Sequence, residues 1–320
     1  MTGNRKPSAT QGRPGSSTSN RANAGQRPSK AQQAAARKQA AAQRALAAER
    51  GRRRQWLLVG SAIGVVIVVV GVLIGIKVAS GPSKPSSGAQ AGVASAQVVK
   101  AVTGVPAATL DAIGAGTIKS PPTALSGAAL TAGGLPRVLY VGAEWCPYCA
   151  AERWSLAVAL SRFGTLSHLG STASSPDDVY ASTATLSFHG ADYTSTYLSL
   201  TAKEIESNQV SGQAHAALDK LDSNDASLFE NVGKGSFPFI DIGGRYVISG
   251  ASYDPGVLQG KTHEQIAAAL SDPGSEIAKA VDGTANVVTA AICKITGNQP
   301  GNVCTSAGVT AAAKVLPTHG

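Results

Sequence analysis

Cysteine is scarce and one-sided in this chain: four among 320 residues, at positions 146, 149, 293 and 304, and none before them. Acidic residues are missing where basic ones gather. The first 54 positions hold thirteen Lys and Arg against a single acid, Glu49, which leaves fifteen basic and eighteen acidic residues for the rest. The net charge of +9 therefore belongs to an N-terminal tail, and the remainder of the chain is mildly acidic. A nucleic-acid-binding domain needs positive charge on a folded face. That requirement is not met, so nucleic acid is excluded as a partner of the folded part. Large apolar side chains are almost lacking before position 30, too few to offset chain entropy, and disorder is expected there. From Ala31 to Arg54 the sequence turns to Ala, Gln, Arg and Lys, which favours helix. No internal repeat is visible, so a solenoid is not expected.

Charge is absent altogether from Trp56 to Ile76, where Ser61 carries the only hydroxyl. At about 1.5 Å per residue this run matches the ~30 Å hydrocarbon core of a bilayer. Arg50, Arg52, Arg53 and Arg54 precede it and only Lys77 follows closely, which places the N-terminus in the cytoplasm and everything after about Ser80 outside. A cleaved signal peptide is the competing reading, with small residues at Val78-Ala79-Ser80. Its charged region would be over-long and its apolar run too extended. The basic cluster reads as a topology signal before it reads as a lipid-headgroup site. All four cysteines then lie on the outer side, where disulfides persist. The expected organisation is a basic cytoplasmic tail (1–55), a transmembrane helix (56–77), a Gly/Pro/Ser-rich flexible linker (78–96) and an extracytoplasmic domain (97–315). The expected location is the cell membrane, single-pass, with the lipid bilayer as a partner through one helix.

Within the outer domain, Val98, Val102, Leu110 and Ile113 recur at helical spacing, interrupted by Pro106. A short apolar strand over 137–142 leads through Ala143-Glu144-Trp145 into Cys146-Pro147-Tyr148-Cys149, and a helix is expected over 150–163. Two cysteines one helical turn apart fall within the roughly 4.4–6.8 Å Cα separation that a disulfide needs. At a strand-to-helix junction the first of them meets unpaired helix N–H groups, which favour its thiolate. Pro147 has its φ pre-set for an early helical position. A thiolate at Cys146 beside a resolving thiol at Cys149 is the apparatus of thiol–disulfide exchange. The bland alternatives are a structural disulfide or half of a zinc site, but zinc wants two further ligands at matched spacing and none follow. Further on, Phe237-Pro238-Phe239-Ile240-Asp241-Ile242 and Arg245-Tyr246-Val247-Ile248-Ser249-Gly250 read as two strands joined at Gly243-Gly244, followed by a helix over 262–271. Phe188, Tyr193 and Tyr197 alternate with small polar residues as in half-buried strands. Cys293 and Cys304 enclose ten residues rich in turn formers, which suits a structural disulfide; a second redox pair relaying electrons is the sharper alternative.

The order strand, Cys-x-x-Cys, helix resembles the opening of the thioredoxin-like superfamily. Ala143-Glu144-Trp145-Cys146 is similar to the thioredoxin lead-in, and Cys-Pro-Tyr-Cys to the glutaredoxin centre. The resemblance implies an α/β thioredoxin-like fold with Pro238 as a cis-proline facing the sulfurs and docking an extended substrate. It also implies an enlarged insert between the cysteine helix and the cis-proline strand, since 88 residues separate Cys149 from Pro238. One departure stands out. Thioredoxins carry a buried acid six residues before the first cysteine, where this chain has Tyr140, so the proton partner of Cys149 is expected to be Glu144, Tyr148 or water. Over residues 98–309 the chain also resembles the actinobacterial and archaeal family catalogued as domain of unknown function 929. The five histidines are scattered, and the copper carriers of this fold use cysteines spaced by three, so His189 as a ligand is disfavoured. Peroxide reduction wants a threonine at the position held by Ala143.

The expectation is a membrane-anchored, extracytoplasmic thiol–disulfide oxidoreductase acting on secreted or membrane protein thiols. Cys146 attacks, Cys149 resolves, and Pro238 positions the substrate. Glu144, Trp145, Pro147 and Tyr148 support them. No cofactor beyond the redox-active disulfide and no metal is expected, and a membrane redox partner such as a quinone-linked oxidase could recharge the pair. The alternative is a non-catalytic binding module of the cell envelope with both cysteine pairs as staples.

Overall fold

The computed structural model describes residues 88–317. The basic tail, the apolar run at 56–77 and residues 78–87 of the expected linker lie outside the described residues. Among the described residues no helix is long and apolar enough to cross a membrane.

The chain enters through strand β1 (Gly92–Val93), and Ser95 then caps helix α1 (Ala96–Thr103) by accepting from the Val98 N–H. Val98 and Val102 face the core. Helix α2 (Ala107–Ile113) follows after Pro106, which cannot continue the preceding helix. Two short strands, β2 (Thr123–Ala124) and β3 (Thr131–Ala132), precede β4 (Leu135–Gly142). From Val138 to Gly142 every residue of β4 is buried, the mark of a central strand covered on both faces. Helix α3 (Pro147–Ser161) starts at the cysteines and is buried at thirteen of its fifteen positions, so it shows no solvent stripe.

The long insert holds strands β5 (Gly164–Ser167), β6 (Gly170–Ala173), β7 (Ala184–Ser187), β8 (Asp192–Ser195), β9 (Ser199–Glu204), β10 (Glu206–Ser211) and β11 (Ala214–Ala217). Helix α4 (Ser223–Asn231), capped by Asp222, leads to β12 (Phe239–Ile242) and β13 (Tyr246–Ser249). Gly243 and Gly244 both adopt positive φ in the three-residue loop, completed by Arg245, that joins Ile242 to its partner Tyr246. Helix α5 (His263–Ala269) opens with a capping box at Thr262 and Gln265. The C-terminal part comprises α6 (Glu276–Ile295), α7 (Gly301–Cys304) and α8 (Ala307–Ala312).

The architecture is mixed α/β. In the principal sheet β4 pairs antiparallel with β12 (Val141 opposite Phe239) and parallel with β9 (Gly142 opposite Glu204). β13 continues beyond β12, and β2 beyond β13. The insert thus supplies one strand, β9, to the principal sheet. Its other strands are β6 and β7 of the β1–β6–β7 sheet and those of two two-stranded units, β5–β8 and β10–β11. Helix α6, buried at sixteen of twenty positions, packs against α3. The approach of α6 to the segment after α2 is close: a Cβ on Gly283 would lie 2.7 Å from the Ala115 carbonyl oxygen.

Residues 88–95, whose composition reads as spacer, are tied down. Gly92 and Val93 pair with Ser171 and Gly170. The Asn208 amide donates to the Ala89 carbonyl at 2.6 Å, and that of Gln209 to Gly88 at 2.9 Å. Small residues offer little to a hydrophobic pattern, yet their backbones complete a sheet edge. At the other end Cys293 is joined to Cys304, linking the end of α6 to α7. Closing a loop of that size stabilises the fold by about 3 kcal/mol in the chain-entropy model.

α3 and α6 each bury a carboxylate. Burial pushes Asp282 up to about 8, and its two oxygens find no hydrogen-bond partner among the described residues. Glu152 is pushed by burial up to about 7, although it accepts from both the N–H and the hydroxyl of Ser252. Both folded values exceed the unfolded ones of about 4. Between pH 4 and pH 8 the folded state therefore keeps protons that the unfolded state has shed, and stability falls as pH rises through that window. Urea denaturation should show a loss on the order of 6 kcal/mol between pH 5 and pH 8, the larger part from Asp282. Asp282→Asn should remove the larger share of that loss and leave the share of Glu152, and a profile indifferent to the substitution would contradict the assignment.

Candidate active site

β4 ends at Gly142, and three residues later the chain turns into α3. Cys146 sits at the N-cap with φ −75° and ψ 122°, its sulfur accepting the Cys149 N–H at 3.3 Å, while Pro147 occupies the first helical turn where no N–H is needed. Both cysteines are free thiols. Cys146 retains 3% exposure and Cys149 none, so a partner can touch Cys146 only. The Cys149 thiol donates to the Cys146 sulfur, and this bond, with the backbone N–H and the charge of Arg153, lowers the Cys146 pKa against the opposing effect of burial. Cys149 moves the other way: burial, and then its bond to Cys146, raise it well above the ordinary thiol value. The two sulfurs are thus shifted in opposite directions.

The Phe237–Pro238 peptide is cis. The Pro238 carbonyl accepts from Gly250 N–H at 2.9 Å, and the Phe237 ring meets Trp145 edge-on at 6.0 Å. Between these loops and the start of α3 lies an open groove of about 360 Å³, lined by Tyr148, Phe237, Gly250, Ala251 and Tyr253 among others. Its volume is at the small end for ligand clefts.

The supporting residues are engaged in different ways. Glu144 is buried and accepts from the Ser187 hydroxyl at 2.8 Å. Trp145 donates from Nε1 to Glu206 at 2.7 Å and stacks on His215 at 5.1 Å. Burial lowers the His215 pKa against the opposing charge of Glu206. Tyr148 is 41% exposed and meets Tyr180 edge-on.

A buried acid does stand beside the cysteines, though not on the strand where a thioredoxin carries it. Glu204, from the end of β9, accepts from Arg153 Nε and Nη2, both at 2.7 Å, with both side chains fully buried. Arg153 Nη2 also donates to the Ala143 carbonyl at 2.6 Å. The Tyr140 hydroxyl donates to Glu204 at 3.4 Å and the Phe188 N–H at 3.3 Å. Burial alone would lower Arg153, but the Glu204 carboxylate outweighs it and the guanidinium is held charged. Burial raises Tyr140 well above its usual value, so it stays a neutral donor. Beside the Glu144, Tyr148 or water expected from the sequence as proton partners of Cys149 stands the Arg153–Glu204 pair, whose charges act on the Cys149 sulfur.

Sequence reasoning missed Arg153, Glu204, His215 and Tyr180. For Arg153 a signal existed: Glu152 and Arg153 are the only charges in an otherwise apolar helix. For Glu204 none did, because its partner lies 51 residues away on another element. Among the described residues no group of three or more His, Cys, Asp or Glu is placed to hold a metal.

A dithiol at the start of a buried helix, set over a buried ion pair at the end of a mixed sheet, defines this as an α/β dithiol protein. The chain belongs to the family described as Domain of unknown function (DUF929), whose model matches residues 121–294, from before β2 through nearly all of α6. No curated protein and no solved structure matches it.

Proposed function

We propose that the protein is a membrane-anchored, extracytoplasmic thiol–disulfide oxidoreductase of thioredoxin-like fold, acting on secreted or membrane protein thiols and disulfides. The observation that carries this reading is the asymmetry of the pair: Cys146, at a helix N-cap, has its pKa lowered and a surface to offer, while Cys149 is sealed and held as a thiol. The strand order β9–β4–β12–β13, parallel then antiparallel twice, supports the fold assignment, as does the cis Pro238 at the entry to β12.

In the reducing direction Cys146 attacks a substrate disulfide, one substrate sulfur leaves as a thiolate, and a mixed disulfide forms. Cys149 then gives up its proton and attacks the Cys146 sulfur, releasing the second substrate thiolate. Two electrons pass to the substrate and the protein is left as the disulfide. Glu204, within electrostatic reach of Cys149, is the carboxylate suited to take that proton, and Arg153 steadies the thiolate that forms. Oxidation runs the same steps backwards, and a membrane redox partner would restore the starting form. An outer location favours oxidation or isomerisation.

The test is alkylation of the reduced full-length chain across pH. Cys146 is expected to react with a midpoint below the ordinary thiol value of about 8.5, and Cys149 far more slowly. Equal and slow reaction of both would remove the catalytic reading and leave a binding module with two structural cysteine pairs.

A further inference from the structure

Two segments of the insert bond to Trp145, the residue before Cys146. The β10–β11 hairpin roofs Trp145: the His215 ring lies nearly parallel to the indole (9°), and Glu206 takes its N–H. The segment 174–182 is pinned to the motif by the Ser175 N–H, which donates to the Trp145 carbonyl at 2.8 Å. Two hydroxyls, those of Ser174 and Thr183, donate to the Tyr180 carbonyl and fix where that residue lies. Its ring stands edge-on to Tyr148 at 6.0 Å and 89°. Four large hydrophobic side chains are exposed among the described residues; one, Tyr148 at 41%, forms a ledge with Tyr180, and another, Val179 at 63%, precedes Tyr180 in the chain. An exposed apolar cluster at a reactive sulfur is a recognition surface before it is an accident of packing.

One of the carboxylates at its rim, Asp254, is already engaged. The Tyr180 hydroxyl donates to Asp254 at 3.3 Å, and the other Asp254 oxygen holds Lys119 at 3.0 Å. Asp177 and Asp178 lie in the same segment as Tyr180, so among the described residues the ledge offers aromatic faces and edges beside acidic charge, which disfavours an acidic substrate. It is continuous through Tyr148 with the groove beside Phe237 and Gly250. An approaching chain meets a roof over Trp145 and an open aromatic shelf past Tyr148.

We infer that the insert sets the substrate range of the cysteine pair, with Tyr180 as a specificity-determining residue for extended polypeptides that carry an aromatic side chain beside the reacting cysteine. This rests on the oxidoreductase reading above. The substrate's aromatic ring packs against the Tyr148–Tyr180 edge while its sulfur meets Cys146. Small disulfides such as glutathione disulfide have no group for the shelf.

The test uses the full-length chain in detergent, reduced beforehand, in single turnover, so that no recycling partner is needed. Two symmetric peptide disulfides are compared, identical except for Phe or Gly after the cysteine, with glutathione disulfide alongside. The protein dithiol is oxidised to the disulfide and each peptide disulfide is reduced to two thiols. The Phe peptide should react about fivefold faster than the Gly peptide, the scale of one aromatic contact. Tyr180→Ala should bring that ratio close to one, and Tyr180→Phe, which keeps the ring, should preserve it. Equal rates for the two peptides, or a ratio that survives Tyr180→Ala, overturn the inference and leave the oxidoreductase intact. Failure of every disulfide, glutathione included, overturns both.

Discussion

Cys146→Ser is expected to abolish exchange with any disulfide, a loss on the order of 10⁴-fold or more in kcat/KM, as when a nucleophile is removed from a site that acts as a unit. Cys149→Ser should do something different. Cys146 can still attack, but nothing releases the captured partner, so mixed disulfides accumulate in cells and appear as higher-mass species that collapse on reduction. The contrast follows from burial, since only Cys146 has surface to present and Cys149 can reach nothing but its neighbour. Non-reducing gels of cells expressing each variant make the comparison, and mass spectrometry of the trapped species names the clients. A Cys149→Ser protein that captures nothing, with Cys146 confirmed as a free thiol, would sink the exchange mechanism.

The second large effect belongs to the buried ion pair. Arg153→Met leaves the Glu204 carboxylate inside the protein with only the Tyr140 hydroxyl and the Phe188 N–H to bond it, while its own N–H stays with Asp219. Breaking a buried pair by removing one partner costs about 3–5 kcal/mol, because the remaining charge is uncompensated. Replacing both, as Arg153→Met with Glu204→Leu, should recover most of that loss, since two apolar side chains of similar bulk carry no desolvation penalty. Urea denaturation of the reduced protein measures both. Exchange should not recover with stability: without a carboxylate beside Cys149, release of the mixed disulfide should slow by about 10²-fold. A double variant that regains its stability and resolves mixed disulfides at the parent rate would show the pair to be a structural element alone.

The parts of the fold legible in the sequence were those whose signal is local. Val98 and Val102 mark α1 by spacing, and Pro106 marks the break before α2. The Gly243-Gly244 pair between two apolar runs marks the β12–β13 hairpin because few residues adopt positive φ twice in succession. Cys146 and Cys149 announce themselves by spacing and by the strand before them. Helix α6 went unread although Ile277, Val281, Val288 and Ile292 recur at helical spacing, because Gly283, Thr284 and Asn286, all weak helix formers, interrupt the run at its middle. The site's second layer escaped for another reason. Arg153, Glu204, His215 and Tyr180 come from four different elements, and their meeting depends on β9 inserting parallel to β4 and on where the insert folds back. No periodicity encodes such a meeting.

The short edge strand at Gly92–Val93 has a practical consequence. A soluble fragment trimmed at residue 97, where composition draws the domain boundary, would strip a strand from β6 and withdraw the carbonyl of Ala89 from the Asn208 side chain. Because Asn208 lies on the same hairpin that covers Trp145, the damage would propagate to the reactive sulfur's surroundings. Trimming at residue 88 instead spares both contacts, and a loss of reactivity in the shorter fragment would reflect where the cut was made more than what the missing residues do.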